Sequence, residues 1–152
     1  MEKMKKISKH ISYNEATRTR VKIDNTPNEE QLKNMIRLAE KVFEPLRKWA
    51  GEPIRVNSFF RSVGVNAGVG GSKTSQHQAL NGSAIDLDAM GEKTNAELFH
   101  YILENLEFDQ LIWEYGDELN PDWVHVSLKK SGNRKQALKV IRIDGRSKYL
   151  PF

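Results

Sequence analysis

The sequence predicts a single α+β domain, covering residues 1–152, in which a small antiparallel sheet is flanked by helices. The length is that of one domain, and no run approaches the roughly 18 apolar residues of a membrane span. Some segments have the apolar spacing of helices and others the alternation of strands. Because these segments do not alternate regularly along the chain, a doubly wound fold is disfavoured.

The strongest helical pattern covers residues 26–49. Thr26 or Asn28 can cap its N terminus, because either side chain can accept a hydrogen bond from the first turn. Pro45 lies inside the pattern, so we expect a kink or a break just before it. Gly51 should end the element. The apolar residues at helical spacing should face the core: Leu32, Met35, Ile36, Ala39, Val42, Phe43, Leu46 and Trp49.

The remaining elements follow in the order strand, loop, strand, helix, strand, strand. Residues 54–60 alternate and predict a short strand. The glycine-rich residues 61–76 predict a long functional loop rather than a packed element. The later segments are a strand at 83–90, a helix at 95–106, strands at 110–115 and 123–128, and a final short helix plus strand within 134–143.

The chain is basic, with a formal net charge of +4 and a pI near 9.3. Charge alone suggests an anionic partner, but a solvated lysine-rich surface would give the same balance. The tryptophans are not interleaved with a basic stripe, so we expect no nucleic-acid partner. Residues 1–12 are basic and expected to be loosely ordered, and they lack the apolar region of a signal peptide.

A metal site in this chain would have to use His, Asp and Glu, because there are four histidines and no cysteine. Strand alternation puts Asp86 and Asp88 on one face, and puts His125 on the polar face of its own strand. If these strands are neighbours, Asp86 and His125 point into one cleft, and His77 could complete a set of three. Two histidines and one carboxylate form the ligand count of a catalytic zinc site. A strand histidine is more often simply hydrogen-bonded, and the spacing leaves both interpretations open.

Several ordered blocks together resemble a known family. They are Ser58-Phe59-Phe60-Arg61-Ser62, Val69-Gly70-Gly71, Ser75-Gln76-His77, Gly82-Ser83-Ala84-Ile85-Asp86 and Trp123-Val124-His125-Val126-Ser127. With them the chain resembles, over nearly its whole length, the zinc D-alanyl-D-alanine carboxypeptidases, and in particular the short endolysin-type members of phages and prophages. The resemblance implies a hedgehog/DD-peptidase-like fold and a Zn²⁺ cofactor.

The resemblance also implies roles for individual residues. The family's zinc ligands match three residues, His77, Asp86 and His125. Its catalytic carboxylate, three residues before the last histidine, matches Asp122. An arginine associated with substrate or transition-state charge matches Arg61, and Ser75 lies at a position that contacts substrate.

The position of the catalytic base has an alternative. Asp122 is an odd number of residues from His125, so a regular strand would turn it to the opposite face. A turn or bulge at Pro121 could bring the carboxylate back. Glu114, on the neighbouring strand, is the second candidate.

The sequence departs from the family pattern in two places. The interval between His77 and Asp86 is longer by two residues, which leaves Asp88 as a same-face substitute ligand. Phe59 and Phe60 replace a commoner Gly-Tyr pair, and we expect their bulk to change the shape of a subsite.

The leading hypothesis is therefore a zinc-dependent peptidase that hydrolyses stem or cross-link peptides of peptidoglycan, as a D,D-carboxypeptidase or an endopeptidase. The alternative is a non-catalytic cell-wall-binding or phage structural module that keeps the fold. Without a signal peptide, we expect the protein to stay in the cytoplasm until release, or to act at the wall after lysis or export. The oligomeric state is left open, with a monomer expected.

Overall fold

A six-stranded sheet forms the centre of the structure, a computed structural model that describes residues 5–152. Its strands are β3 Ile54–Ser58, β4 Ser83–Ala89, β5 Gln110–Glu114, β6 Trp123–Leu128, β7 Gln136–Ile143 and β8 Arg146–Pro151. The strand order is β3-β4-β6-β5-β7-β8, and every pairing is antiparallel except that of β5 with β7. The α+β class is thus confirmed, with a sheet that is mixed rather than purely antiparallel.

Helices cover one face of the sheet. Their bounds are α1 Tyr13–Ala16, α2 Glu29–Leu38, α3 Glu44–Ala50, α4 Val63–Gly68 and α5 Asn95–Asn105. A π-helical turn, Ala39–Phe43, joins α2 to α3, and a 3₁₀ turn covers Gln76–Gln78. Among residues 5–152, no helix has the length and apolar character needed to cross a membrane.

The predicted helix over residues 26–49 is a continuous helical segment that runs from α2 to α3. Asn28 and Gln31 form a capping box, in which each side chain accepts from the other's backbone N–H at 2.8–2.9 Å. Pro45 cannot donate a helical hydrogen bond, and the expected kink takes the form of the π-helical turn directly before it. Gly51, with φ 67°, ends the helix as expected.

The core lies between these helices and the branched aliphatic face of the two central strands. On β4 and β6 the alternation predicted from the sequence is confirmed, because Ile85, Leu87, Val124 and Val126 are fully buried. The helices contribute Met35, Leu38, Val42, Leu46, Leu98, Phe99 and Ile102. The opposite face of the same strands is therefore free to carry polar groups.

Two segments differ from the sequence-based expectations. Residues 61–76, expected to be a loop, contain α4, which begins where the Ser62 hydroxyl accepts from the Val65 N–H at 3.1 Å. Residues 134–143 contain no helix, and β7 continues into a β7–β8 hairpin that was not predicted. Asp144 and Gly145, with φ of 52° and 76°, form the tight turn of this hairpin.

The N-terminal segment pairs with itself in the described part of the chain. Residues 1–4 lie outside the described residues, but Lys6–Ser8 pairs with Ile11–Ser12 as β1 and β2. Ile7 and Ile11 are buried in the core. These two apolar side chains attach the basic segment to the core, and the loose order expected for residues 1–12 stays a prediction.

Candidate metal centre

Asp86 and His125 are direct cross-strand partners. In the register of β4 and β6, Asp86 lies opposite His125, and both face away from the helix-covered core. The Nδ1 atom of His125 lies 2.9 Å from the Asp86 Oδ1 atom. The sequence analysis required β4 and β6 to be neighbours for these two side chains to share a cleft, and the structure shows that they are.

His77 reaches the same carboxylate from the 3₁₀ turn. Its Nε2 atom lies 3.3 Å from the second oxygen of Asp86, and its side chain is buried. On the other side of the ring, Nδ1 lies 2.7 Å from the Phe59 carbonyl oxygen. Ser75 holds the turn itself, because its hydroxyl accepts from the His77 N–H at 3.3 Å. Hydrogen bonds therefore hold both the backbone and the ring of His77 in place.

The longer interval between His77 and Asp86 does not disturb this geometry. Ala79, with φ 55° and a buried side chain, turns the chain after the 3₁₀ helix, and Leu80 is exposed before β4 begins. Asp88, the substitute ligand considered from sequence, instead accepts a hydrogen bond from Asn95 Nδ2 at 2.8 Å. The extra residues are absorbed in the turn, and Asp86 is the carboxylate that meets the histidines.

The donor set fits a zinc ion. One ligand atom from each of His77, Asp86 and His125 lies within 4.8 Å of the others. A backbone carbonyl can only accept a hydrogen bond, so the Nδ1 atom of His77 carries a proton and donates it to the Phe59 carbonyl. The Nε2 atom faces Asp86 with a second proton if the ring is charged, and with a lone pair if the ring is neutral. A divalent cation satisfies two imidazole lone pairs and a carboxylate at once, which is the ligand set of catalytic zinc sites.

The Asp86 carboxylate is held in its ionised form. Burial by itself would raise the pKa of this carboxyl. The charge of His77 and the hydrogen bonds from His125 and His77 outweigh burial and keep the pKa well below its usual range. A deprotonated ligand is what metal binding requires.

Glu114 is the carboxylate beside this cluster. On β5 it stands two residues from Ile112, the cross-strand partner of His125, so its side chain faces the same way as the histidine. The residue is only 8% exposed. Burial raises the pKa of Glu114 to about 7, with the charge of His125 opposing this and that of Asp86 adding to it. Its protonation therefore changes in the neutral range.

Asp122 does not join the cluster. It is exposed, and its side chain is not among those that line the cavity around the three ligands. Its backbone N–H donates to the Glu114 carbonyl at 2.9 Å although the register partner of Glu114 is Trp123, so the β5–β6 ladder is irregular at Asp122. The irregularity expected next to Pro121 is thus present, but the Asp122 carboxylate is exposed and lies outside the cavity lining, and its catalytic role stays a prediction.

Arg61 brings a cation to the opposite side of the cluster. Its backbone N–H donates to the His77 carbonyl at 2.9 Å, and its guanidinium lines the cavity. Among the described residues its Nε atom is buried without a hydrogen-bond partner. Burial lowers the pKa of Arg61, and the charge of Asp86 opposes the shift. A half-buried guanidinium with unused donors is suited to bind an anion.

These groups share a cavity of about 970 Å³. Ser75, expected to contact substrate, lies in its wall, and that role remains a prediction. Phe59 and Phe60, expected to reshape a subsite, are 1% exposed and pack in the core, so that expectation is wrong. The cavity also includes residues that sequence reasoning missed, above all Arg142 and Tyr149 of the β7–β8 hairpin.

An α+β domain with a His-Asp-His cluster, a buried glutamate and an arginine in one cavity has the architecture of a metal-dependent hydrolase. The family model described as Peptidase M15 matches residues 9–127, more than three quarters of the chain. The chain therefore belongs to the peptidase M15 family, whose domain is D-Ala-D-Ala carboxypeptidase-like and whose members are metallopeptidases. The resemblance inferred from the sequence blocks is confirmed at the level of the family. A comparison with curated proteins gives no match.

Proposed function

We propose that this chain is a zinc-dependent peptidase that hydrolyses the peptides of peptidoglycan. The observation that carries the proposal is the meeting of His77, Asp86 and His125 within 4.8 Å in a cavity that also holds Glu114 and Arg61. Membership of the peptidase M15 family supports peptide hydrolysis as the reaction class.

The three ligands would hold Zn²⁺, which when bound supplies a Lewis acid that activates water and polarises a carbonyl. Glu114 would take the proton from the attacking water and pass it to the leaving amine. In the metal-free site burial raises its pKa to about 7, and the charge of a bound metal would lower that value and keep the carboxylate available as a base.

Arg61 would bind negative charge on the substrate. The candidates are a peptide carboxylate and the oxygen on which charge develops during attack, since a guanidinium offers a planar pair of donors to either. Gly71 supports this role, because Arg61 Nη1 would lie only 3.2 Å from a Cβ atom added at Gly71. The glycine allows the loop to pack closely against the guanidinium.

The extent of the cavity favours an endopeptidase over removal of one terminal residue. The lining runs from Arg61, which follows the edge strand β3, to Tyr149 on the opposite edge strand β8. A groove that crosses the sheet on both sides of the ligand cluster accommodates an extended peptide with residues on either side of the bond that is cut. The positive net charge would favour adsorption to anionic wall polymers after lysis or export.

The competing hypothesis, a wall-binding module without catalysis, loses its two sequence arguments. The longer interval before Asp86 leaves the ligand atoms together, and Phe59 and Phe60 lie in the core. No described contact replaces those arguments.

The test is hydrolysis of purified peptidoglycan by the zinc-loaded protein, followed as new amine termini and by the masses of the released peptides. Glu114→Gln should reduce the rate at least about a hundredfold, as loss of a general base does. Asp122→Asn, a matched change of an exposed carboxylate, should leave the rate within about twofold of the wild type. Binding to the wall without any release of amines would instead support the non-catalytic module.

A further inference from the structure

The β7–β8 hairpin lies outside the region matched by the family model, yet it forms part of the candidate site. The match ends at residue 127, and β7 begins at Gln136. Leu138 and Arg142 of β7 and Tyr149 of β8 line the same cavity as His77, Asp86 and His125. This hairpin therefore supplies groups to the cavity that the family region does not contain.

Sheet register explains why these side chains face the cavity. Glu114 pairs with Val140, and Val140 pairs with Tyr149, so the three residues form one row across β5, β7 and β8. Arg142 is two residues beyond Val140 and opposite Ser147, which makes Tyr149 its diagonal neighbour on the same face. The guanidinium and the phenol are thus adjacent on one surface.

Arg142 is held in place without being neutralised. Its guanidinium lies over the ring of Tyr115, 4.6 Å from the ring centroid, and the Tyr115 hydroxyl is 2.6 Å from the Ser147 hydroxyl. Within residues 5–152 Arg142 forms no salt bridge, whereas Arg134 and Lys129 of the same cavity both contact the Asp109 carboxylate. The face of the guanidinium is occupied by an aromatic ring, while its N–H groups remain available.

Tyr149 adds a neutral donor beside this cation. Burial raises the pKa of the phenol, and the negative charges of Glu114 and other nearby acids add to the shift. The hydroxyl therefore stays protonated and can donate to an anion. Tyr149 is still 55% exposed as a residue, so a ligand in the cavity can reach it.

The position of Arg142 relative to the metal ligands sets the length of what it can bind. Its Cα is two strands across and four residues along from that of His125. At the usual strand spacing and rise this separation is about 16 Å. An extended peptide covers that distance in about five residues, or fewer when side chains bridge part of it.

We propose that Arg142 and Tyr149 form a subsite for a carboxylate-bearing residue of the substrate, located several residues from the bond that is cut. The subsite rests on the proposed function, because it names the part of a peptide substrate that this end of the groove recognises. Its role is specificity, and it takes no part in the proton transfers assigned to Glu114.

The test measures binding rather than turnover, on zinc-loaded protein that carries Glu114→Gln so that the peptide stays intact. The probes are two stem-type peptides that are N-acetylated and amidated at the C terminus. They differ only in whether the side-chain carboxylate is free or amidated. A third peptide, with the side chain amidated and the C-terminal carboxylate free, distinguishes the two sources of charge. Titration calorimetry gives Kd for each, and mass spectrometry verifies that the peptides remain whole.

We expect the free side-chain carboxylate to bind at least about tenfold more tightly than its amide, as for a charge-assisted hydrogen bond. Arg142→Gln should remove this preference and leave the Kd of the amidated peptide unchanged, which also verifies that the hairpin is folded. Arg142→Lys should retain part of the preference, and Tyr149→Phe should reduce it. Arg146→Gln, an exposed arginine of the same hairpin that does not line the cavity, is the matched control and should keep the preference in full.

Four results would overturn the subsite. They are equal binding of both peptides to the parent protein, a preference that survives Arg142→Gln, no binding of any of the peptides, and a preference that follows only the C-terminal carboxylate. Failure of the proposed function is distinct from all of these, because a protein that never cleaves the wall can still show an Arg142-dependent preference, and an active peptidase can lack one.

Discussion

The backbone carbonyl of Phe59 fixes the tautomer and orientation of His77. Their 2.7 Å contact requires Nδ1 to donate, which directs Nε2 at Asp86, 3.3 Å away. Both residues are almost fully buried, so the ring has little freedom to turn. Metal-binding histidines commonly donate their second ring N–H in this way, and the contact therefore prepares the ligand before any metal arrives.

Glu114 should make the metal-free protein less stable as the pH rises. Its folded pKa of about 7 exceeds its ordinary value of 4.5, so the folded state binds this proton more tightly than the unfolded chain. Below about pH 4.5 the carboxyl is protonated in both states and does not lower the free energy of unfolding. Between about pH 4.5 and 7 the free energy of unfolding falls as the pH rises, and above that range it is lower by about 3 kcal/mol.

Glu114→Gln removes this titration. In EDTA the variant should match the wild type in its free energy of unfolding near pH 4.5 and exceed it by about 3 kcal/mol at pH 8. Urea unfolding at both pH values measures the difference. A gap that does not change with pH would show that the carboxyl is not held in a desolvated position.

Asp109 should be the main electrostatic anchor of the loop that follows β6. Its fully buried carboxylate accepts from Arg134 Nε and Nη2 at 3.0 and 2.7 Å, and from Gln76 Nε2 at 3.0 Å. Burial would raise the pKa of Asp109, but the Arg134 and Gln76 hydrogen bonds lower it to about 2. Asp109→Ala should cost about 2–4 kcal/mol, because it removes a buried carboxylate that accepts several hydrogen bonds, two of them from a guanidinium.

Asp117→Ala is the control for this change, since Asp117 is an exposed carboxylate that accepts only from backbone N–H groups of its own turn. It should cost about 1 kcal/mol or less in the same urea unfolding experiment. Because Gln76 precedes His77, Asp109→Ala should also weaken zinc binding, and Asp117→Ala should not. Equal effects of the two substitutions would argue against a special role for Asp109.

Gly71 should be needed for the position of Arg61 but not for the metal. A Cβ atom at this residue would lie 2.1 Å from Asn66 Oδ1 and 3.2 Å from Arg61 Nη1. Gly71→Ala therefore has to displace the Asn66 side chain, which lies beside the guanidinium. We expect kcat/KM for peptidoglycan peptides to fall about tenfold or more, with zinc content unchanged.

Gly64→Ala provides the comparison for Gly71, because its added Cβ would meet only the flexible end of Ile23, at 3.0 Å. Its kcat/KM should stay close to that of the wild type. A loss of zinc in Gly71→Ala, or an equal loss of activity in both variants, would contradict the assignment of Arg61 to substrate charge.

The faces of the central strands could be predicted from the sequence because one side of each strand is fully buried. That burial leaves a clear alternation, which placed Asp86 and His125 on the polar side of β4 and β6. The same rule indicated that Asp122 would point away from His125. The family resemblance favoured Asp122 as base, but Asp122 is exposed and does not line the cavity that Glu114 lines.

Other features could not be obtained from local patterns. The parallel pairing of β5 with β7 joins segments distant in sequence, and no periodicity encodes it. β7 and β8 are half exposed, so their alternation is weak, although Asp144-Gly145 is a usable turn signal. The short helix α4 includes two glycines and depends on the Ser62 cap, so its propensity is low.

The most direct test of the account is the zinc content of purified variants after dialysis against a weak chelator. His77→Ala, Asp86→Ala and His125→Ala should each lose stoichiometric zinc, because a site with two protein ligands left holds the metal weakly. Asp88→Ala and His100→Ala, matched changes outside the cluster, should keep one zinc per chain. Stoichiometric zinc in His77→Ala and His125→Ala, or its loss in Asp88→Ala alone, would contradict the metal centre assigned to His77, Asp86 and His125.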